Sequence, residues 1–417
     1  MKSTNITIKK GVILSLGVLL CISAIYLMII RLKFIEYSSG DLYQDYFAAK
    51  HLLNHESIYS DITHQNYHPP LAAFLFAPLA LLPYWYACLT WSIITIFLYF
   101  TSGWLVLKEL DFRLPYYYLL VIIGYSLCWY PFQANIALGQ WSILIGTCLV
   151  IGWICLRHQK NFFAGVILGL SCLIKLFPGL IIIYLILTKR WKALVTMISV
   201  VLIGFLVMGI ILGPSEIIYY FTMIVPRDVN AFIAFPGNYS ILGIFEIFFW
   251  DGAWVKPIFI SPIPINLIAL VLDIGVLIIL IRLMLHLPIN TDNDDIKYAL
   301  TIITMFFISP LSWQHMLTIL ILPISIILMK MPSQVMKHKY GYSLALFGIV
   351  LLSIPDIEVG RFLIRLYDPN RIPWLSGLLF LAYDLGLLIL CILLLRLRRT
   401  EYGDFTDNSI RQGVLYP

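Results

Sequence analysis

Apolar positions in this chain fall in long runs rather than in periodic stripes, and those runs set the elements. A crossing of the hydrocarbon core takes about 20 residues at 1.5 Å per residue. That ruler predicts spans over Gly11–Ile30, Trp85–Leu107, Tyr116–Phe132, Trp141–Leu156, Ala193–Leu212, Pro262–Leu285, Tyr342–Ile354 and Trp374–Leu395. Lys9 and Lys10 precede the first run, which is too long for a signal-peptide core and is expected to stay as an uncleaved span. Two stretches do not fit the ruler. Asn161 to Thr188 is flanked by Arg157 and Lys160 on one side and by Lys189, Arg190 and Lys192 on the other, so a single crossing would put one basic cluster outside. Two short helices joined at Lys175 to Pro178 keep both clusters inside. Tyr298 to Met329, between Lys297 and Lys330, is interrupted by Ser309, Pro310, Ser312, Trp313, Gln314 and His315 and folds best as a second hairpin with its polar apex outward.

The expectation is an all-α integral membrane protein of about 12 transmembrane helices, one polytopic domain over residues 1–399, with both termini cytoplasmic. About two-thirds of the Lys and Arg residues then lie inside. The long connections, 31–84 and 213–260, fall on the outer face, and the chemistry is sought there. In the first, Asp41 to Tyr59 has the mixture expected of an interfacial helix, and Leu71 to Leu82, bounded by Pro70 and Pro83, is too short to span and reads as re-entrant or interfacial. Residues 400–417 form a polar cytoplasmic tail.

Composition adds exclusions. With 61% hydrophobic and 12% charged residues the chain lies far from a water-soluble domain, which runs near half apolar and about a quarter charged. The net charge of +6 follows from basic cytoplasmic loops and calls for no nucleic acid. The seven cysteines sit in apolar stretches without a CxxC or a paired His, which supports neither a disulfide framework nor a zinc site.

Ionisable groups in or beside apolar spans pair, face a wet cavity, or work. Asp41 and Asp45, four apart, share a helix face; Asp41 is either an N-cap or a general base at the membrane surface, and Asp45 is a second carboxylate of the site or, the favoured reading, a solvated neighbour. His68, in Tyr67-His68-Pro69-Pro70, is structural or contacts substrate. Gln140, after Gly139, binds a sugar hydroxyl or caps the next helix. Lys175, at a hairpin apex with apolar flanks, snorkels or binds a lipid phosphate. At the second apex Trp313 suits stacking on a sugar or isoprenoid and His315 suits a phosphate, with interfacial anchoring as the alternative. Arg227, Asn238, Arg361, Arg365 and Arg371 are further outer polar groups. A carboxylate, a cation, an imidazole and aromatic rings on one face form the set that lipid-linked sugar transfer requires. Proton-coupled transport would favour acids at mid-membrane, of which Asp273 is the clearest. A lipid or sugar transporter and a non-catalytic assembly subunit remain as alternatives, which flux without a new glycosidic bond, or indifference to changes at Asp41, Lys175 and His315, would reveal.

Gly40-Asp41 through Ala48, Ile58-Tyr59, Tyr67-His68-Pro69-Pro70-Leu71 and Pro78-Leu79-Ala80 together resemble the opening of glycosyltransferase family 87. Gly139-Gln140, Ala164-Gly165 with Lys175 and Pro178, Asn238 with Ser240, and Ser309-Pro310 with Ser312-Trp313 and His315 follow in the family's order, so the resemblance runs from about residue 38 to 320. It implies a GT-C bundle and inverting transfer of a hexose, mannose first, from a polyprenyl-phosphate donor to a lipid or glycan acceptor on the non-cytoplasmic face of the cell membrane. Asp41 matches the family's first-outer-loop aspartate, the expected base; Lys175 and His315 match positions suited to the donor phosphate, with Trp313, Gln140, His68 and Asn238 as further substrate contacts. Such donors carry a monophosphate, so the resemblance implies no metal and no cofactor. Met316 follows His315 where the family often has a second His, and Asp45 stands where an aromatic is common.

Overall fold

The computed structural model describes residues 2–37, 41–60, 66–112, 115–235, 237–249, 255–257, 260, 264–288, 290–334, 340–355, 372–373 and 375–397. Arg361, Arg365, Arg371 and the tail 400–417 lie outside the described residues. The regular structure is helical except for a parallel pairing of two two-residue strands, Val255–Lys256 with Ile372–Pro373, which the all-α expectation did not include.

Among the described residues, four helices meet the length and hydropathy of a bilayer crossing throughout: Lys10–Ile30 within α1 (Lys2–Tyr37), α4 (Tyr84–Glu109), α10 (Trp191–Leu212) and α14 (Ile265–His286). Their outer faces keep residues such as Leu202, Ile210 and Val271 exposed, as a helix solvated by lipid does. The protein is a multi-pass membrane protein. The expected single span Tyr116–Phe132 is instead two helices, α5 (Tyr116–Cys128) and α6 (Tyr130–Leu138), bent by 52°. Trp129 leaves the helical path, and Pro131, in the first turn of α6, has no N–H with which to carry the α5 hydrogen-bond ladder across the break. Glycines let α5 lie directly on α1. A Cβ on Gly17 would meet Leu120 at 2.7 Å and one on Gly124 would meet Leu20 at 2.6 Å, so the two helices run parallel in backbone contact. The helix Leu375–Arg396, 22 residues long, falls on the expected span Trp374–Leu395. Pro70–Ala80, α7 (Ser142–Arg157), Asn161–Ile174 and Gly341–Leu351 are apolar but shorter than a full crossing, and most of α7 is buried.

Asn161 to Thr188 breaks where the charge pattern placed the break. α8 (Asn161–Ile174) ends at extended Lys175, and a 3-10 turn, Phe177–Leu180, leads into α9 (Ile181–Leu187). The guanidinium of Arg190, after α9, donates to Leu156 O at 2.9 Å and Gln159 Oε1 at 2.8 Å, which sit before α8, so both basic clusters lie at one end of the bundle. Tyr298 to Met329 folds alike: α15 (Thr291–Ile308) and α16 (Ile321–Gln334) are antiparallel, joined through a 3-10 helix, Gln314–Leu320, and clasped by Lys330 Nζ on Asp292 and Asp295. At about 1.5 Å per residue, α15 separates its two ends by about 27 Å, close to a hydrocarbon core. One end gathers charged pairs. The other end opens into a cavity.

Candidate active site

The cavity has a volume of about 640 Å³, and six of the seven expected site residues line it: Asp41, His68, Gln140, Lys175, Trp313 and His315. They come from five stretches of chain whose local structure brings them together. Asp41 opens α2 (Asp41–Leu53). α6 ends on Gly139 in the left-handed region (φ 65°), where a Cβ would strike Leu42 of α2 at 2.4 Å; only glycine lets the chain turn this close to α2. Trp91 Nε1 fixes that turn by donating to Gly139 O at 2.9 Å. The next residue, Gln140, is thereby set beside Asp41 and donates to its Oδ2 through Nε2. Lys175, freed from the helical path by its extended backbone, donates from Nζ to Gln140 Oε1 at 2.8 Å. One buried amide thus stands between the carboxylate and the ammonium.

The electrostatics follow from burial in a partly dry cleft. Burial raises the Asp41 carboxyl above the usual range, while Lys175 and His68 pull it back down. Burial also depresses the Lys175 ammonium, against the pull of Asp41, Asp228 and Asp45. His315 is 3% exposed, and neither ring nitrogen has a hydrogen-bond partner among the described residues. Burial first, then the nearby Lys175 and His68, holds it well below the ordinary imidazole range, so it is a neutral ring with free polar atoms at the cavity.

Asn238 is placed elsewhere. It is fully buried and does not line the cavity: Nδ2 donates to Ile233 O (3.0 Å) and Pro310 O (2.9 Å), and Oδ1 accepts from the backbone of Ser240 (3.1 Å) and Ser312 (2.9 Å). It clips the 309–313 turn in place, and that turn carries Trp313 into the cavity wall beside Phe232 and Phe235. Asp45, expected as a solvated neighbour, is 1% exposed and hydrogen-bonded on both oxygens, to His68 and to Trp141. It sits on the inner face of α2, where water does not reach.

Asp228, on α12 (Val225–Phe232), also lines the cavity and was not singled out from the sequence. Burial pushes its carboxyl up to about 6, against the pull of His68 and Lys175. Asp228 and Phe232 both line the cavity and are four residues apart on one face of α12, a spacing that could have flagged the acid.

Comparison with known proteins adds three findings. A polyprenol-phosphate-mannose-dependent alpha-(1-2)-phosphatidylinositol mannoside mannosyltransferase of Mycobacterium tuberculosis is 29% identical over 145 residues, 32% of this chain and 34% of the relative, so the chain matches about a third of that relative's length. Crystal structures of ArnT from Cupriavidus metallidurans, bound to undecaprenyl phosphate and in the apo state, align at 12% identity over 95% of this chain and 80% of theirs, with TM-scores of 0.42 and 0.37. Residues 66–310, more than half of the chain and spanning every cavity-lining stretch except that of Asp41 and the turn after Pro310, match glycosyltransferase family 87, to which this protein belongs.

Proposed function

We propose that the protein moves a hexosyl group, mannose first among candidates, from a polyprenyl-phosphate donor to a hydroxyl of a lipid or glycan acceptor, with inversion, on the non-cytoplasmic face. The observation that carries this reading is the Asp41–Gln140–Lys175 chain in a cavity shared with unpartnered His315. Asp41 takes the proton of the acceptor hydroxyl as its oxygen attacks the sugar C1. The C1–O bond to phosphate breaks, and the electron pair leaves with polyprenyl phosphate. The leaving phosphate gains charge as that bond breaks, and Lys175 and His315 donate hydrogen bonds to it. Raised by burial, Asp41 is a stronger base than an exposed aspartate. Gln140 keeps it from collapsing onto Lys175 as an ion pair, leaving both free to act. The family and the relative's polyprenol-phosphate-mannose dependence support the donor class. The basic clusters at the opposite end support a cytoplasmic assignment for that end and for both termini. The reading takes residues 1–399 as one GT-C-type domain.

The test is transfer of radiolabelled sugar from polyprenyl-phosphate mannose in membranes carrying wild type or Asp41→Asn at matched expression. Loss of a general base should lower transfer by about 10²–10⁴-fold while leaving donor binding nearly intact. Unchanged transfer by the variant removes Asp41 from the chemistry. No transfer by wild type from mannosyl, glucosyl or other lipid-phosphate donors removes the reading itself.

A further inference from the structure

Beside the Asp41–Gln140–Lys175 chain lies a second polar unit. Asp45 is buried on α2, with Oδ1 2.8 Å from His68 Nδ1 and Oδ2 accepting from Trp141 Nε1 at 2.8 Å. An indole N–H only donates, so the carboxylate must accept there, and the other oxygen is met by the imidazole. The backbone of His68 is fixed as well. Its N–H donates to Asn66 Oδ1 at 2.9 Å, its carbonyl accepts from Tyr59 OH at 3.0 Å, and Pro69 and Pro70 stiffen the chain that follows. With Nδ1 engaged by Asp45, Nε2 is the ring nitrogen left to the cavity that His68 lines.

We infer that Asp45 and Trp141 hold His68 as an anion-binding imidazolium whose Nε2–H contacts the donor phosphate. The inference rests on the donor reading above. With a carboxylate oxygen at Nδ1 and a phosphate oxygen at Nε2, both ring nitrogens face acceptors and both must donate, so phosphate binding and the Asp45 contact reinforce each other. His315 has no such counter-ion and contributes a neutral donor. The two histidines are therefore not interchangeable, although both face one cavity. Asp45 and Trp141 are positioning residues, because they act on substrate only through His68. Fixing the ring through Asp45, and the backbone that carries it through Asn66, Tyr59 and the two prolines, before ligand arrives avoids ordering it at the moment of binding.

The experiment compares equilibrium binding of polyprenyl phosphate and of uncharged polyprenol to the purified full chain in lipid nanodiscs. His68→Gln should weaken polyprenyl phosphate binding by about ten-fold or more and leave polyprenol unaffected. Asp45→Asn retains an acceptor for Nδ1–H but removes the charge, and should show a similar phosphate-specific loss. The double variant should be no worse than either alone, because both act through one contact. Trp141→Phe keeps an aromatic ring at this buried position, though a smaller one, removes the N–H, and should lose several-fold in the same direction; it carries the test if Asp45→Asn does not fold. Equal losses for both lipids, additive losses in the double variant, or no loss in Asp45→Asn or Trp141→Phe would reduce the unit to a staple between α2 and the Pro69-Pro70 turn. Binding of neither lipid phosphate nor its hexosyl ester to wild type would overturn the donor reading and this inference with it.

Discussion

The two polar ends of the bundle handle charge in opposite ways. At the basic-loop end, acids and bases meet directly. Asp295 Oδ2 touches Arg157 and Lys330 while its Oδ1 accepts from Trp153; Glu109 holds Arg157 and His158; Asp294 reaches Arg190 and Lys297. Four helices, α4, α7, α15 and α16, and the Arg190 turn that leads into α10, converge on this network. At the cavity end, among the described residues, Asp41, Asp228 and Lys175 form no ion pair; an amide separates the first from the third, and both polar atoms of His315 are left unpartnered. Buried charge without a direct partner is costly, and proteins keep it where a ligand completes the set. One end is closed by its own residues. The other awaits a phosphate and a hydroxyl.

The sharpest way to break this contrast is to remove a partner from each end. Asp295 is 1% exposed, and its loss leaves Arg157 with Glu109, Lys330 with Asp292, and the buried Trp153 N–H without its acceptor. Asp295→Ala should therefore destabilise the fold by about 3–5 kcal/mol, read as a lowered thermal midpoint or faster proteolysis in membranes, with transfer per folded molecule little changed. A neutral outcome would show that the network is solvated rather than structural.

Lys175→Met makes the complementary change. Burial already disfavours the Lys175 charge, and its one direct hydrogen-bond partner among the described residues is Gln140. The variant should hold or raise the thermal midpoint. It should lose about 1.5–3 kcal/mol of lipid-phosphate binding, roughly 10–150-fold, in a nanodisc binding assay. A fall in stability equal to that of Asp295→Ala would mean that the cavity cation is structural and the contrast false.

How much of this was legible in the sequence depends on the range over which each feature is encoded. The long apolar runs and the break at Lys175 are local: hydropathy and the flanking Arg157 and Arg190 suffice. Asp41, His68, Gln140, Lys175, Trp313 and His315 were found because each interrupts an apolar or proline-marked context, and the structure brings them to one cavity. The failures are all long-range. Asp295 and Arg157 are 138 residues apart, and no periodicity announces that pairing. Asp45 looked solvated because its partner Trp141 is 96 residues away. Asn238 kept its expected place in chain order but spends its polar atoms on the 309–313 turn rather than on the cavity. The bend at Trp129 was the exception, since Pro131 was visible and the run was still taken as one span. Asp384, buried and with neither side-chain oxygen hydrogen-bonded among the described residues, is an acid that a long apolar run conceals.

Asp228 tests the cavity end most finely. Its carboxyl, pushed up to about 6 by burial, is neutral below that pH and ionised above it, where it faces Lys175 and His68 and competes with a bound phosphate for them. Burial holds His315 well below the ordinary imidazole range, and Asp41 is a second acid on the same cavity that burial raises. A hexosyl polyprenyl phosphate is a diester with no ionisation of its own near pH 6, so a change in its binding there reports the protein. Wild type should bind it a few-fold more weakly as pH rises from about 5 to about 7, because an anion then enters the site. Asp228→Asn should flatten the part of the profile centred near 6 and bind a few-fold tighter at neutral pH, while whatever Asp41 contributes persists. The stability sign runs the same way. An acid whose folded value is raised stabilises below its unfolded value and loses that contribution as pH climbs to about 6, so the midpoint difference between Asp228→Asn and wild type should widen over that window. If Asp228→Asn leaves the profile unchanged, the pH dependence belongs to Asp41 or to the Asp45–His68 pair, and α12 serves the cavity only as its wall.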